Sequence, residues 1–227
     1  MNLYLWIDLA ILAIPLALSF DRKVRYVRRW PAVLASSAIV AAMFIPWDIL
    51  KTAAEVWGFN LRHVGLFAFL GLPAGELLFF LVVPFSCLFI YEVVQAYFRE
   101  RPVRVARWAW LLGAGGLAVL AVLFRQQVYT LTVLIAAAAV LALAALWQPD
   151  LLASFRFWLA MALTYIPFLL FNGLLTSVPL VVYNDAEIWG ARVYTIPVED
   201  FFYSFALLGS AILVYRPLRR RWAGAHG

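Results

Sequence analysis

Four acidic residues fall where water is scarce. Asp48, Glu76, Glu199 and Asp200 sit beside apolar or aromatic neighbours at the ends of long apolar stretches, and carboxyl groups at membrane depth are costly enough to be functional candidates. Successive residues on a helix point about 100° apart, so Glu199 and Asp200 cannot both aim at one atom, whereas Asp200 and Glu76 can face each other across packed helices. Crowded, poorly solvated carboxyl groups can retain a proton, and a protonated one is a general acid. Around them Phe79, Phe80, Phe201, Phe202 and Tyr203 offer ring faces that stabilise a cation without attacking it. Asn172 either bonds across helices or orients a carboxylate, and Asn184, with Tyr183 and Asp185, lies at a polar loop. The plainer alternative is structural: acids in a first turn complement the helix dipole, with Pro197 as first helical residue and Thr195 near the cap, and the aromatic side chains simply pack.

The elements that carry these residues must be membrane helices. Of 227 residues, 66% are hydrophobic and 13% charged, with mean hydropathy +0.91, a balance that rules out a soluble enzyme. Apolar stretches predict seven spans at about 3–20, 31–50, 74–97, 108–124, 128–147, 157–181 and 198–215, each near the roughly 20 residues that cross a bilayer. The net charge of +6 points to topology rather than to nucleic acid, because 13 of the 18 Lys and Arg residues cluster in 21–29, 99–107 and 216–221. The positive-inside bias puts these clusters in the cytoplasm and the N-terminus and loops 51–73 and 182–197 outside. The first span lacks a basic region ahead of it and carries Asp8, so it reads as a retained span and not a cleaved signal. Asp8 and Glu92 are expected to reach toward an interface, Trp57 and Trp189 to anchor at one, and His63 to lie in a loop. A single Cys87 and two histidines, His63 and His226, exclude an intramolecular disulfide and argue against a metal centre.

The chain also repeats itself. Glu55-Val56-Trp57-Gly58 recurs as Glu187-Ile188-Trp189-Gly190, and the segment Pro73 to Phe79 recurs 124 positions later as Pro197 to Tyr203, an offset that also relates Tyr91 to Tyr215. The expected fold is therefore all-α: seven transmembrane helices in a 3+1+3 arrangement, with parallel three-helix units in 1–99 and 128–227 joined by a linker helix in 100–127, together one membrane domain. The run Gly113 to Gly116 in the linker reads as a close-packing surface and not as a phosphate cradle.

The segment Ile196-Pro197-Val198-Glu199-Asp200-Phe201-Phe202-Tyr203 and the stretch from Phe171-Asn172-Gly173 through Tyr183-Asn184 resemble the integral-membrane lycopene cyclases of the heterodimeric bacterial type. These also occur fused in one chain and as the cyclase domain of fungal bifunctional carotenoid enzymes. That family carries Pro-x-Glu-Glu/Asp-x-x-Phe/Tyr in each of two three-span units. Here the first unit departs from it, with Gly75 in Leu72-Pro73-Ala74-Gly75-Glu76 standing where the family usually has an acid.

The resemblance implies a multi-pass cell-membrane enzyme that protonates the terminal double bond of a linear C40 carotenoid, closes the cation into a ring and removes a proton, without net redox change. It implies no metal and no cofactor, in keeping with the absence of a Gly-rich dinucleotide fingerprint. Glu199 or Asp200 would donate the proton, and Glu76, with Asp48 second, would accept or orient it. The aromatic residues above, with Asn172 and Asn184, would hold the substrate. Expected partners are lycopene or another linear carotenoid and membrane lipids, with no nucleic acid; a homo-oligomer or contact with other carotenoid enzymes stays open. A β ring is the family's common outcome. The rival reading is a small 3+1+3 transporter with its substrate site at the repeat interface. A retinal photoreceptor is set aside because no Lys follows Lys51.

Overall fold

The computed structural model describes residues 2–65 and 68–224, so His226 lies outside the described residues. Its frame is a set of long helices: α1 (Leu3–Leu18), α2 (Trp30–Ala53), α3 (Ala74–Tyr97), α4 (Arg107–Leu123), α5 (Val128–Trp147), α6 (Phe155–Ser177) and α7 (Glu199–Gly224). These follow the expected spans closely, because a helix that satisfies its own backbone hydrogen bonds is the economical form for a long apolar stretch. Five of them, α2, α3, α5, α6 and α7, are long and apolar enough to cross a membrane, while α1 and α4 are shorter apolar helices of 16 and 17 residues. This is a mostly helical membrane protein.

The helices pack around two of their number. α3 lies against α1, α2 and α6, and α7 against α2, α5 and α3. Close approach explains one glycine: a Cβ on Gly209 would lie 2.6 Å from Val140 Cγ1, so glycine lets α7 seat against α5. α4 packs chiefly on α5. Its glycine run is only partly the expected packing surface, because Gly113 meets Leu141 whereas Gly115 and Gly116 face open space.

Among the described residues, three short antiparallel pairs join the helices. β1 (Trp57–Phe59) pairs with β4 (Val181–Tyr183), Trp57 opposite Tyr183, and so ties the loop after α2 to the loop after α6. β2 (Ala68–Phe69) with β3 (Leu72–Pro73), and β5 (Arg192–Val193) with β6 (Ile196–Pro197), are hairpins that lead into α3 and α7. Leu70 and Tyr194, 124 positions apart, hold left-handed φ of 50° and 58° in the two turns. Pro197 thus belongs to a strand and not to the first turn of α7, and the Thr195 hydroxyl bonds to that of Thr176 at 2.6 Å.

The opposite end of the bundle is basic and locked by ion pairs. Glu92 does not reach outward: it is buried at 3% exposure, accepts from Tyr215 Oη at 2.8 Å and pairs with Arg219 at 2.8 Å and Arg29 at 3.7 Å. Arg216 bonds to Gln148 Oε1 at 2.8 Å and to Asp150. Between the loops, Glu100 accepts from Ser154 Oγ at 2.7 Å and from Arg156 Nε at 2.9 Å. Although burial works against it, these donors hold the Glu100 carboxyl down to about 2.

Candidate active site

At the other end, where α3 and α7 begin, Asp48, Glu76 and Asp200 line one cavity of about 310 Å³, together with aromatic and aliphatic side chains. The site is built as two facing sets. In the first, Glu76 Oε2 accepts from Tyr4 Oη at 2.5 Å, and Asp48 Oδ1 accepts from Trp57 Nε1 at 3.0 Å. Asp48 Oδ2 has no hydrogen-bond partner among the described residues, and the Asp48 carboxyl lines the same cavity as that of Glu76. An ionised carboxylate only accepts, so two neighbouring carboxyl groups can bond to each other only when one of them carries a proton.

In the second set, Asp200 is saturated by neutral donors. Oδ1 accepts from Tyr129 Oη at 2.6 Å, and Oδ2 accepts from Asn172 Nδ2 at 2.8 Å and Tyr183 Oη at 2.9 Å. Burial, and next the charge of Asp200, push the Tyr183 phenol well above its usual range, which keeps it a donor. Tyr4, on α1, serves Glu76 as Tyr129, on α5, serves Asp200. Asp48 and Asn172 stand in the same relation, 124 positions apart like Glu76 and Asp200.

The structure separates the expected site residues. Asp48, Glu76, Asp200, Phe79, Tyr203 and Asn172 line the cavity. Glu199 is buried at 1% exposure but points elsewhere: its Oε1 accepts from Thr130 Oγ1 and from the Trp189 N–H, both at 2.5 Å. Phe80 is fully buried in the main core, Phe201 packs on Tyr165 and Phe168, and Phe202 joins the cluster around Val56 and Tyr129; none of these three lines the cavity. Asn184 shapes a loop, donating to the Glu55 carbonyl at 3.2 Å and accepting from the Ala186 N–H at 3.1 Å.

Other residues gain roles. Trp57 is a buried ligand of Asp48 and not an interfacial anchor, whereas Trp189 is 44% exposed and packs on Phe124. The repeated Glu-x-Trp-Gly segment therefore does different work in its two copies. Glu187 caps α5 through the Val128 N–H at 3.1 Å. Asp8, expected near an interface, is fully buried, and neither of its oxygens has a hydrogen-bond partner among the described residues. Among those residues no His, Cys, Asp or Glu group is arranged to hold a metal ion.

The cavity walls are mostly apolar. Phe79, Phe168, Phe171 and Tyr203 contribute rings, and Tyr203 is fixed edge-on to Phe44 with centroids 5.6 Å apart. The family model for lycopene cyclase matches the chain over residues 1–94 and 126–218. The chain belongs to the lycopene cyclase family. Neither the curated proteins nor the solved structures compared with it include a match. Membership makes this cyclase-family protein an enzyme that acts on carotenoids.

Proposed function

We propose that the chain is a proton-initiated, non-redox lycopene cyclase that closes linear end groups into rings, most simply β rings, within a multi-pass cell-membrane fold. The observation that carries this reading is the pairing of two unlike carboxyl arrangements on one cavity. Asp48 has one carboxyl oxygen without a donor on the cavity it shares with Glu76, a place for a proton, whereas Asp200 already accepts three hydrogen bonds. The proton donor is therefore the Asp48–Glu76 pair and the base is Asp200, the reverse of the order expected from sequence, with Glu199 a positioning residue for the loop at Trp189.

The steps balance. The pair's proton adds to the terminal double bond of the polyene end and leaves a tertiary cation. The next double bond supplies its electron pair to close the six-membered ring, which moves the cation one bond beyond the closure. Asp200 then takes a neighbouring C–H proton, and that electron pair becomes the ring double bond. The proton returns to the pair, and no electron is gained or lost. Tyr203, Phe79 and Phe171 face the cation with π density, and the apolar wall withholds the water that would trap it as an alcohol.

The same reading takes the chain as two parallel copies of one three-helix unit joined by α4, with α1 and α4 completing seven spans and the basic end in the cytoplasm. The 124-residue offset of Asp48, Glu76 and Leu70 from Asn172, Asp200 and Tyr194 supports it. Expression in a lycopene-accumulating bacterium tests the function: the chain should convert the pigment to cyclic carotenes, and unchanged lycopene beside a well-inserted protein would overturn the cyclase reading. A transporter at the same site would instead move a polar solute in proteoliposomes and leave carotenoids alone, and the largely apolar, ring-lined wall of the cavity speaks against it.

A further inference from the structure

The cavity is covered at the acid end of the bundle, narrows toward the basic end and reaches the surface at its side. At the acid end the β1–β4 ladder lies over it, with Trp57 opposite Tyr183. Toward the basic end the space narrows to a far smaller pocket of about 10 Å³ lined by buried Leu88, Tyr91 and Ile212, which shares Cys87, Thr164 and Leu208 with the cavity. Between α1 and α6 the two helices meet near the acid end, where Tyr4 and Ile7 pack with Leu175 and Leu180. One to two turns further along α1 the contact ends: Ala10 is exposed and Ile14 is 66% exposed, yet both line the cavity, across from half-buried Pro167 and Phe168. A residue that lines a cavity and is also exposed marks a mouth. This mouth faces the flank of an apolar helix, where the surroundings are lipid.

Volume decides what passes through it. At about 310 Å³ the cavity is at the small end of the about 300–1,000 Å³ that buries a drug-sized ligand, which suits one end group and not a whole C40 chain. We infer that the gap between α1 and α6, edged by Ala10, Ile14, Pro167 and Phe168, is a lateral portal that admits one end of a linear polyene from the bilayer while the rest of the chain stays among the lipids. This rests on the cyclase reading. It adds that each ring requires a separate entry, since the second end can reach Asp200 only after the first has left through the same portal. A monocyclic product is then a released species and not a bound one.

The test uses the full-length protein in liposomes that carry lycopene, with acyclic, monocyclic and bicyclic carotenes separated over time. Ala10→Leu, Ala10→Trp and Ile14→Trp narrow the portal at lipid-facing positions; Leu112→Trp, on the exposed face of α4 at 65% exposure, is the control. Conversion should fall with side-chain size at Ala10, by at least tenfold for Ala10→Trp and Ile14→Trp, with the second cyclisation slowed as much as the first and Leu112→Trp at the wild-type rate. Should Ala10→Trp fail to accumulate, the milder Ala10→Leu decides alone. Wild-type rates in all the portal variants would overturn the portal and leave the cyclase intact, whereas wild-type protein that leaves lycopene unchanged would overturn the cyclase reading itself. Bicyclic product that forms with no free monocyclic species would overturn separate entry.

Discussion

The Tyr4 ring occupies the space that a side chain on residue 75 would need. A Cβ built on Gly75 would lie 2.5 Å from Tyr4 Cγ, and the hydroxyl of the same tyrosine donates to Glu76. The glycine at the family's usual acid position is thus matched by a tyrosine that fills the vacated volume and steers the remaining acid. Restoring the acid should therefore harm the protein. Gly75→Glu, and Gly75→Ala to a lesser degree, should lower stability by about 1–3 kcal/mol through overpacking and lower turnover, read as a reduced Tm in detergent and reduced ring formation.

Tyr4→Phe separates packing from steering. The ring stays, so no cavity opens and Tm should fall only by what a lost hydrogen bond to an acid of about 1.5–3 kcal/mol costs, while cyclisation should slow by about tenfold or more. Trp57→Phe should act in the same way through Asp48. A Tyr4→Phe protein with the wild-type rate would remove Tyr4 from the site.

Single amide substitutions sort the acids. Asp48→Asn, Glu76→Gln and Asp200→Asn should each lower conversion by roughly 10²–10⁴, the usual worth of a positioned acid or base. Glu199→Gln should leave an active, less stable protein, because Glu199 ties Thr130 and the Trp189 backbone and does not touch the cavity. An inactive, well-folded Glu199→Gln protein beside an active Asp200→Asn would return the site to the arrangement expected from sequence.

How much of this the sequence carried can be argued residue by residue. Hydropathy located all seven long helices, because uninterrupted apolar stretches leave the backbone few other ways to satisfy itself. The acids stood out because charge is rare there. Their division of labour did not, since the rotation of α7 decides that Asp200 faces the cavity and Glu199 faces Thr130. Trp57 read as an interfacial anchor, and nothing in type or spacing set Tyr4 and Tyr129 apart from the other tyrosines. The partner relation of Asp48 and Asn172 was present as the same 124-residue offset, masked by a change of residue type. Strands of two or three residues carry no periodicity to read, so the β1–β4 cover over the cavity was invisible.

The basic end offers a pH test. Glu100 is held down to about 2 from an ordinary value of 4.5, so its contribution to stability is present above about pH 4.5 and is lost as pH falls toward 2. Because the group is partly exposed, the effect is small. Thermal melts in detergent should show the wild type losing more Tm than Glu100→Gln between pH 5 and pH 2.5, and parallel curves would contradict the lock.

The central claim is ring closure by proton transfer alone at the Asp48, Glu76 and Asp200 cavity. Purified protein in lycopene-bearing liposomes, with no nicotinamide or flavin added, should yield cyclic carotenes of unchanged mass by chromatography and mass spectrometry. Unchanged lycopene, or a product whose mass differs by two hydrogens or by one water, would contradict it.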